Sequence, residues 1–413
     1  MINPASTSEE NTVIEGSPVT VWRPRRARRL AHQAILFARA GAAARRRRAP
    51  GYSKEAEERA GRDLLARLNS LPRELAAECR LVRVPADRAP WLDSGIDMRA
   101  GEQVSTFSWG RAWLSHALDV WMGPRFQLWA RIGTRGPVFR AARDTNTYTA
   151  ADTGRLYLAS YFPGTWADRD GRLATPPRDY RRASGEIATI VVRWADGVDP
   201  QAVLAAHLTA TEPTDLARDE LQRLQAPAPA PAGWNYAWIL GEADIWTNAS
   251  DGRGVIDCHC EQNVGVVQYE VDVPLTAATR LRWRWLIDQL PSPLAEDSVL
   301  THDYTSIAIE FENGQDITYH WSAELPEGYT YRCPLPYWNH LETHVALRTG
   351  TDQLGRWVAE DRPVQEDYRG AIGDPPARIV RVWLIALSVF QHGTGSTRFA
   401  DIELVNDGET LRL

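Results

Sequence analysis

Two alternating runs, Ile307 to Glu312 and Asp316 to Ser322, carry the densest chemistry in this sequence of 413 residues. They meet at Asn313-Gly314-Gln315, whose residue types favour a turn. A two-residue loop would mix polar and apolar side chains on both faces. A three-residue loop instead pairs Phe311 with Ile317, Ile309 with Tyr319 and Ile307 with Trp321, giving one coherent apolar face. The other face then carries Ser306, Ala308, Glu310, Thr318, His320 and Ser322, with Glu310 diagonal to His320 at about 7 Å. A carboxylate that orients an imidazole can do general acid/base work. Arg284, which alternates with Trp283 and Trp285 on a separate strand, is the candidate anion-stabilising charge. His302, Asp303 and Tyr304 stand at the mouth of the first hairpin strand. The candidate catalytic set is therefore Glu310, His320, Asp303, Tyr304 and Arg284, weighed against a merely solvated sheet face.

Other constellations are thinner. Glu310 and Glu312 alternate onto one face, as paired carboxylates do in some jelly-roll glycosidases. Cys258-His259-Cys260 has zinc-type donors, but no second pair with ligand spacing follows. There is no Gly-x-Ser-x-Gly elbow, phosphate loop or dinucleotide fingerprint. The aromatic residues are 17 Trp and 13 Tyr against 8 Phe, so most rings combine a stacking face with a polar handle. Trp283, Trp285, Trp321 and Trp357 are the candidate ligand-stacking residues.

The elements that must position these groups fall into four segments. Residues 1–80 form a basic helical arm, with a second helix over Lys54 to Asn69 that ends before Pro72. From 81 to 198, short runs are punctuated by Gly95, Gly101, Gly110, Gly123-Pro124, Gly133 and Gly154, a spacing that predicts an antiparallel sandwich. Residues 199–233 hold helical connectors, Pro200 to His207 and Thr214 to Leu224, and the Pro/Ala linker of residues 226–232. Residues 234–413 are β-rich again. The predicted fold class is mainly β: two antiparallel β-sandwich or jelly-roll domains with an N-terminal helical arm and a short helical connector.

Two family resemblances follow from particular residues. Asp93-Ser94-Gly95-Ile96-Asp97, Trp121 with Gly123-Pro124, Leu128 to Gly133, Gly154 to Leu158 and Pro163-Gly164-Thr165-Trp166 resemble the calcium-dependent galactophilic lectins of bacteria. That resemblance implies a β-sandwich and a calcium loop in which Thr165 and Asp168 match ligand positions and Asp170 assists. The pattern is degenerate. Tyr161 replaces an expected aspartate, Arg169 replaces an expected asparagine, and the sugar-contacting His/Gln loop is missing between Pro124 and Phe126. An arginine at a ligand position opposes a divalent cation. The second region resembles an uncharacterised bacterial family of β-rich, jelly-roll type. Its carrying residues include Leu281 to Trp285, His302-Asp303-Tyr304, Tyr319, Trp321, Gly355-Arg356-Trp357 and Ala400-Asp401-Ile402. That resemblance implies a fold and no activity.

Charge narrows the partners. The chain is 24% charged with a net charge of −6, yet Arg23 to Arg48 holds ten arginines and no acid. Leu30, Ala34, Phe37 and Ala38 share a helical face there, with Arg25, Arg26, Arg28 and Arg29 around the first turn. Such a helix can dock on the acidic remainder of the chain, on a partner or on an anionic membrane surface. It lacks aromatic interleaving or any recognised module, which argues against nucleic acid. Lys54 is the single lysine among 47 basic residues, consistent with codon bias. Residues 1–16 have no apolar signal core and four cysteines are too sparse for a disulfide framework, so the expectation is a cytoplasmic protein. Calcium is the one cofactor weighed. Two functions stay open: a binding protein for a small molecule or carbohydrate-type ligand, and an acid/base enzyme (lyase, hydrolase or cyclase) at Glu310 and His320.

Overall fold

The computed structural model describes residues 13–24, 26–47, 53–88, 90–208, 215–249 and 254–413, without the side chains of residues 26–30, 45 and 47. The protein is mainly β, built as two sandwich modules with helices on their outer faces.

In the N-terminal module, alternation along Gln103–Ser115 and Ser184–Trp194 gives both strands two buried faces. Val104 and Val191 point toward Ile96, Ile132, Leu156 and Leu158 of a three-stranded sheet. Phe107, Trp109, Ile190 and Val192 point the other way, into a layer made by Leu64 and Leu68 of the helix Lys54–Asn69 with Leu204, Leu208 and Leu221. Gly61 lets that helix approach closely, because a Cβ there would meet the Trp109 ring at 2.3 Å. Ser53 caps the helix by accepting from the Ala56 N–H. The expected connectors appear as Pro200–Val203, continuing through Leu204–Leu208, and as Leu216–Gln225.

The C-terminal module consists of two seven-stranded sheets face to face. One contains Arg280–Gln289, Val358–Pro363 and Thr394–Asn406. The other runs in the order Asn235–Tyr236, Val264–Pro274, Arg378–Leu387, Thr305–Phe311, Asp316–Ser322, Glu342–Thr349 and Thr330–Arg332. Between them lie Trp283, Trp285, Ile307, Ile309, Phe311, Ile317, Tyr319, Trp321 and Phe399, all buried. The face expected to be apolar is therefore the core face.

The hairpin register differs from the expectation by two positions. Its loop has three residues, but they are Glu312-Asn313-Gly314. The Phe311 N–H donates to the Gln315 carbonyl, and the Asn313 side chain accepts from the Gln315 N–H. Gly314 sits at φ +74°, which glycine adopts without strain. Ile309 thus faces Ile317, Ile307 faces Tyr319, and Glu310 faces Asp316, while His320 faces Ser306. A shift of two leaves every side chain on its expected face and changes only the partners.

The arginine-rich arm forms a helix, α1, over Arg26–Arg47. Its docking face is Leu36 and Ala40, against Leu294, Leu325, Tyr329 and Tyr331, with Ala44 buried one turn on, whereas Ala34, Phe37 and Ala38 are exposed. The expected apolar face was wrong by about a third of a turn, because tertiary contacts select the more continuous small-residue stripe. Arg39 clamps Glu324 in a bidentate pair at 2.6 Å, and His32 meets Asp297 at 2.8 Å. The expected first-turn cluster of Arg25, Arg26, Arg28 and Arg29, together with Leu30 and Arg48, lies outside the described residues or side chains. Before α1, Ile14–Glu15 pairs with Val358–Pro363, so residues 13–47 belong with the C-terminal module and Lys54–Asn69 with the N-terminal one. Among the described residues, no helix is long and apolar enough to cross a membrane.

Candidate functional site

The polar face of the hairpin is not solvated. Ser306, Ala308, Thr318, His320 and Ser322 are fully buried, and Glu310 is partly buried. Two bodies cover this face. Over one end lies α1 with the 294–304 segment. Over the middle lies the N-terminal module, whose Met122, Phe126 and Phe162 join Ala308, Trp383, Ile385 and Leu387 in one cluster. Arg143 bonds Asp244, and the Asn263 side chain donates to the Ala142 carbonyl, so polar contacts also cross between the modules.

Where the covering stops short, the modules enclose a cleft of about 310 Å³. The N-terminal module contributes Thr165, Trp166 and Arg169. The C-terminal module contributes Trp238, Gln268, Glu270, Glu310, Asp316, Tyr337, Trp338, Arg381 and Trp383. Register explains the polar floor: Glu310 faces Arg381 on one side and Asp316 on the other. Both oxygens of Glu310 accept from Arg381, at 2.7 and 2.8 Å. Asp316 accepts from the Thr318 hydroxyl at 3.0 Å, and burial, with Glu342 and Glu310 nearby, pushes its carboxyl well above the usual range. Arg169 lies over the Trp238 ring at 5.5 Å, joining the two walls. The indole N–H groups of Trp166 and Trp383 are buried without a hydrogen-bond partner. A second inter-module hollow, of about 520 Å³, is lined by Arg111, Trp121 and His392, where Trp121 is sandwiched between the guanidinium and the imidazole. A larger concavity, about 970 Å³, is a charged groove lined by Arg280, Arg282 and Arg284 of the other sheet together with residues 15–21.

Several expected site residues are separated by this geometry. Glu310 and His320 are four residues apart along the register, about 13 Å, so they do not form an orienting pair. Arg284 lies on the far side of the opposite sheet, paired with Asp401 over the Trp357 ring, and cannot reach the hairpin. The Asp303 carboxylate accepts from the Phe390 and Gln391 N–H groups, a loop-holding role. Trp283, Trp285 and Trp321 are at most 1% exposed between the sheets and offer no stacking face, and Trp357 is buried against Leu286 and Ala400. The sequence pattern placed Trp283, Trp285 and Trp321 in strands correctly but could not say which face meets the partner sheet. The stacking residues that line the cleft, Trp238, Tyr337, Trp338 and Trp383, were missed. Trp238 and Tyr337 lie in turns and Trp338 opens a single helical turn, where no periodicity marks them.

In the calcium-type loop, Asp168 is taken up by Arg172, whose backbone and side-chain N–H groups donate to it at 3.2 and 2.9 Å. Asp170 is exposed, and Thr165 turns toward the cleft. A different donor set lies deeper. His302, Cys333, Glu342 and His344 are buried with one ligand-type atom from each within 4.8 Å of the others. Tyr304, His320 and Tyr331 surround them.

Residues 233–403 match the model of a family described as a protein of unknown function, DUF3047. No curated protein matches the chain. Among solved structures, the N-terminal domain of EclA, a PllA-like lectin, is 18% identical and covers 30% of this chain and 99% of its own, with a TM-score of 0.23. The xyloglucanase domain of NopAA, a type three effector from Sinorhizobium fredii in complex with cellobiose, is 11% identical and covers 44% of this chain and 96% of its own, with a TM-score of 0.26.

Proposed function

We propose that this protein binds a carbohydrate-type ligand in the cleft between its two modules. One observation carries the reading: the loop 163–170 and the hairpin face with Glu310, singled out separately in the sequence, line the same cavity. Its volume falls within the range of small-molecule sites, roughly 300–1,000 Å³. Sugars present axial C–H faces and rings of hydroxyls. Indole and phenol rings receive the former, and a fixed carboxylate–guanidinium pair with an amide, here Glu310–Arg381 and Gln268, receives the latter. The test is a glycan array probed with the full chain, followed by calorimetry on any hit with wild type and Trp338→Ala. Trp338 is half-buried at the cleft wall, and its loss should weaken binding about tenfold or more. Absence of any oligosaccharide bound by the wild type at millimolar concentration would sink the reading.

Acid/base catalysis is a second reading, favoured by the side-by-side carboxylates Glu310 and Asp316 on the cleft floor. It places the pair at these residues and leaves His320 out.

A further inference from the structure

We infer that His302, Cys333, Glu342 and His344 form a closed, four-ligand site for a divalent transition-metal ion of the zinc type. Glu342 and His344 alternate onto one face of Glu342–Thr349, and Thr330–Arg332 pairs beside it, so that Tyr331 faces His344 and the Cys333 N–H donates to the Glu342 carbonyl. His302 comes from the short helical turn that leads into Thr305–Phe311. Three separate segments thus deliver two imidazoles, a thiol and a carboxyl to one point.

The orientation of each group is that of a ligand. The His302 Nδ1 lies 2.7 Å from the Glu296 carbonyl, to which it can only donate, so its Nε2 carries the lone pair. That atom faces the Cys333 sulfur at 3.4 Å. A backbone carbonyl fixing the far nitrogen is the usual outer-shell arrangement for a metal-bound histidine. His344 is wholly buried, and neither ring nitrogen has a hydrogen-bond partner; its Nε2 lies 3.5 Å from a Glu342 oxygen. An imidazole with two idle nitrogens inside a protein is costly unless something else takes a lone pair.

Charge points the same way. Glu360, Asp367 and Glu102 are each neutralised by an arginine, Arg348, Arg362 and Arg193 respectively. Among the described ion pairs, Glu342 has no arginine and only His344. A divalent ion with one thiolate and one carboxylate makes a neutral centre, the thiol and any carboxyl proton being released to solvent on binding. The mixed sulfur, nitrogen and oxygen set suits zinc over calcium or magnesium, and four protein donors leave no open position, which makes the site structural. It would tie the edge strand Thr330–Arg332 and its neighbour Glu342–Thr349 to the segment before the hairpin.

The test uses the full chain. Elemental analysis of protein purified with zinc present should find about one equivalent, and protein produced with cobalt should show a thiolate-to-metal charge-transfer band. That band should vanish in Cys333→Ser and persist in Cys79→Ser, a cysteine remote from the cluster. X-ray absorption of the wild-type zinc protein needs no variant. It should report one sulfur at about 2.3 Å with nitrogen and oxygen at about 2.0–2.2 Å. A folded wild type holding less than a tenth of an equivalent of any first-row ion, or a bound ion with no sulfur neighbour, would overturn the inference.

Discussion

Asp316 stands opposite Glu342 in the parallel pairing of Asp316–Ser322 with Glu342–Thr349. On its other side it faces Glu310. One aspartate therefore separates the cleft, which it lines, from the buried imidazole–thiol cluster, and the two sites share a wall one side chain thick.

Binding and turnover are separable at this wall. If the cleft only binds, an oligosaccharide incubated with the protein is recovered intact, and Glu310→Gln weakens its affinity without altering the products. Chromatography of the incubated sugar reads this directly. Product that appears with wild type and disappears with Glu310→Gln would transfer the account to the acid/base reading.

Calcium should not bind at the loop 163–170. Arg172 occupies the Asp168 carboxylate and Arg169 stands where a ligand is needed. Calorimetry with calcium to millimolar concentration is expected to give no heat of binding, and a saturable exotherm removed by Asp168→Ala would contradict this.

Buried and exposed arginine pairs should differ sharply in their worth. Arg348→Met strands Glu360, whose side chain is 4% exposed, and should cost about 3–5 kcal/mol. Arg284→Met breaks an exposed pair with Asp401 and should cost no more than about 1 kcal/mol, leaving ligand binding unchanged. Urea unfolding of the two variants compares them.

The α1 docking face is checked by a pair of substitutions. Leu36→Ala should lower stability by about 2–5 kcal/mol, because the side chain is 1% exposed. Phe37→Ala, 48% exposed, should fall within about 0.5 kcal/mol of wild type. Thermal melts distinguish this face from its neighbour.

The sequence made one half of the hairpin legible and hid the other. Alternation alone assigned Ile307, Ile309, Ile317, Tyr319 and Trp321 to one face, because burial of that face is what the pattern records. The partner of Glu310 was not readable, since it depends on whether the glycine or the glutamine ends the loop. Nor does a polar face announce what covers it: Phe126, Phe162 and α1 come from more than 140 residues away. The metal-type donors were hidden for the same reason. Glu342-x-His344 shows strand spacing, but Cys333 and His302 join it only through tertiary pairing, and no contiguous motif links them. Conversely, Cys258 and Cys260, separated by one residue in sequence, are core residues.

If the cleft is the binding site, both modules grip one ligand. Hydrogen–deuterium exchange of the full chain, with and without a saturating oligosaccharide from the array, measures it most directly. Protection should appear together in the loop 161–170 and in the C-terminal segments 335–341 and 378–387. Protection confined to one module, or located at the Trp121–His392 hollow instead, would contradict the account.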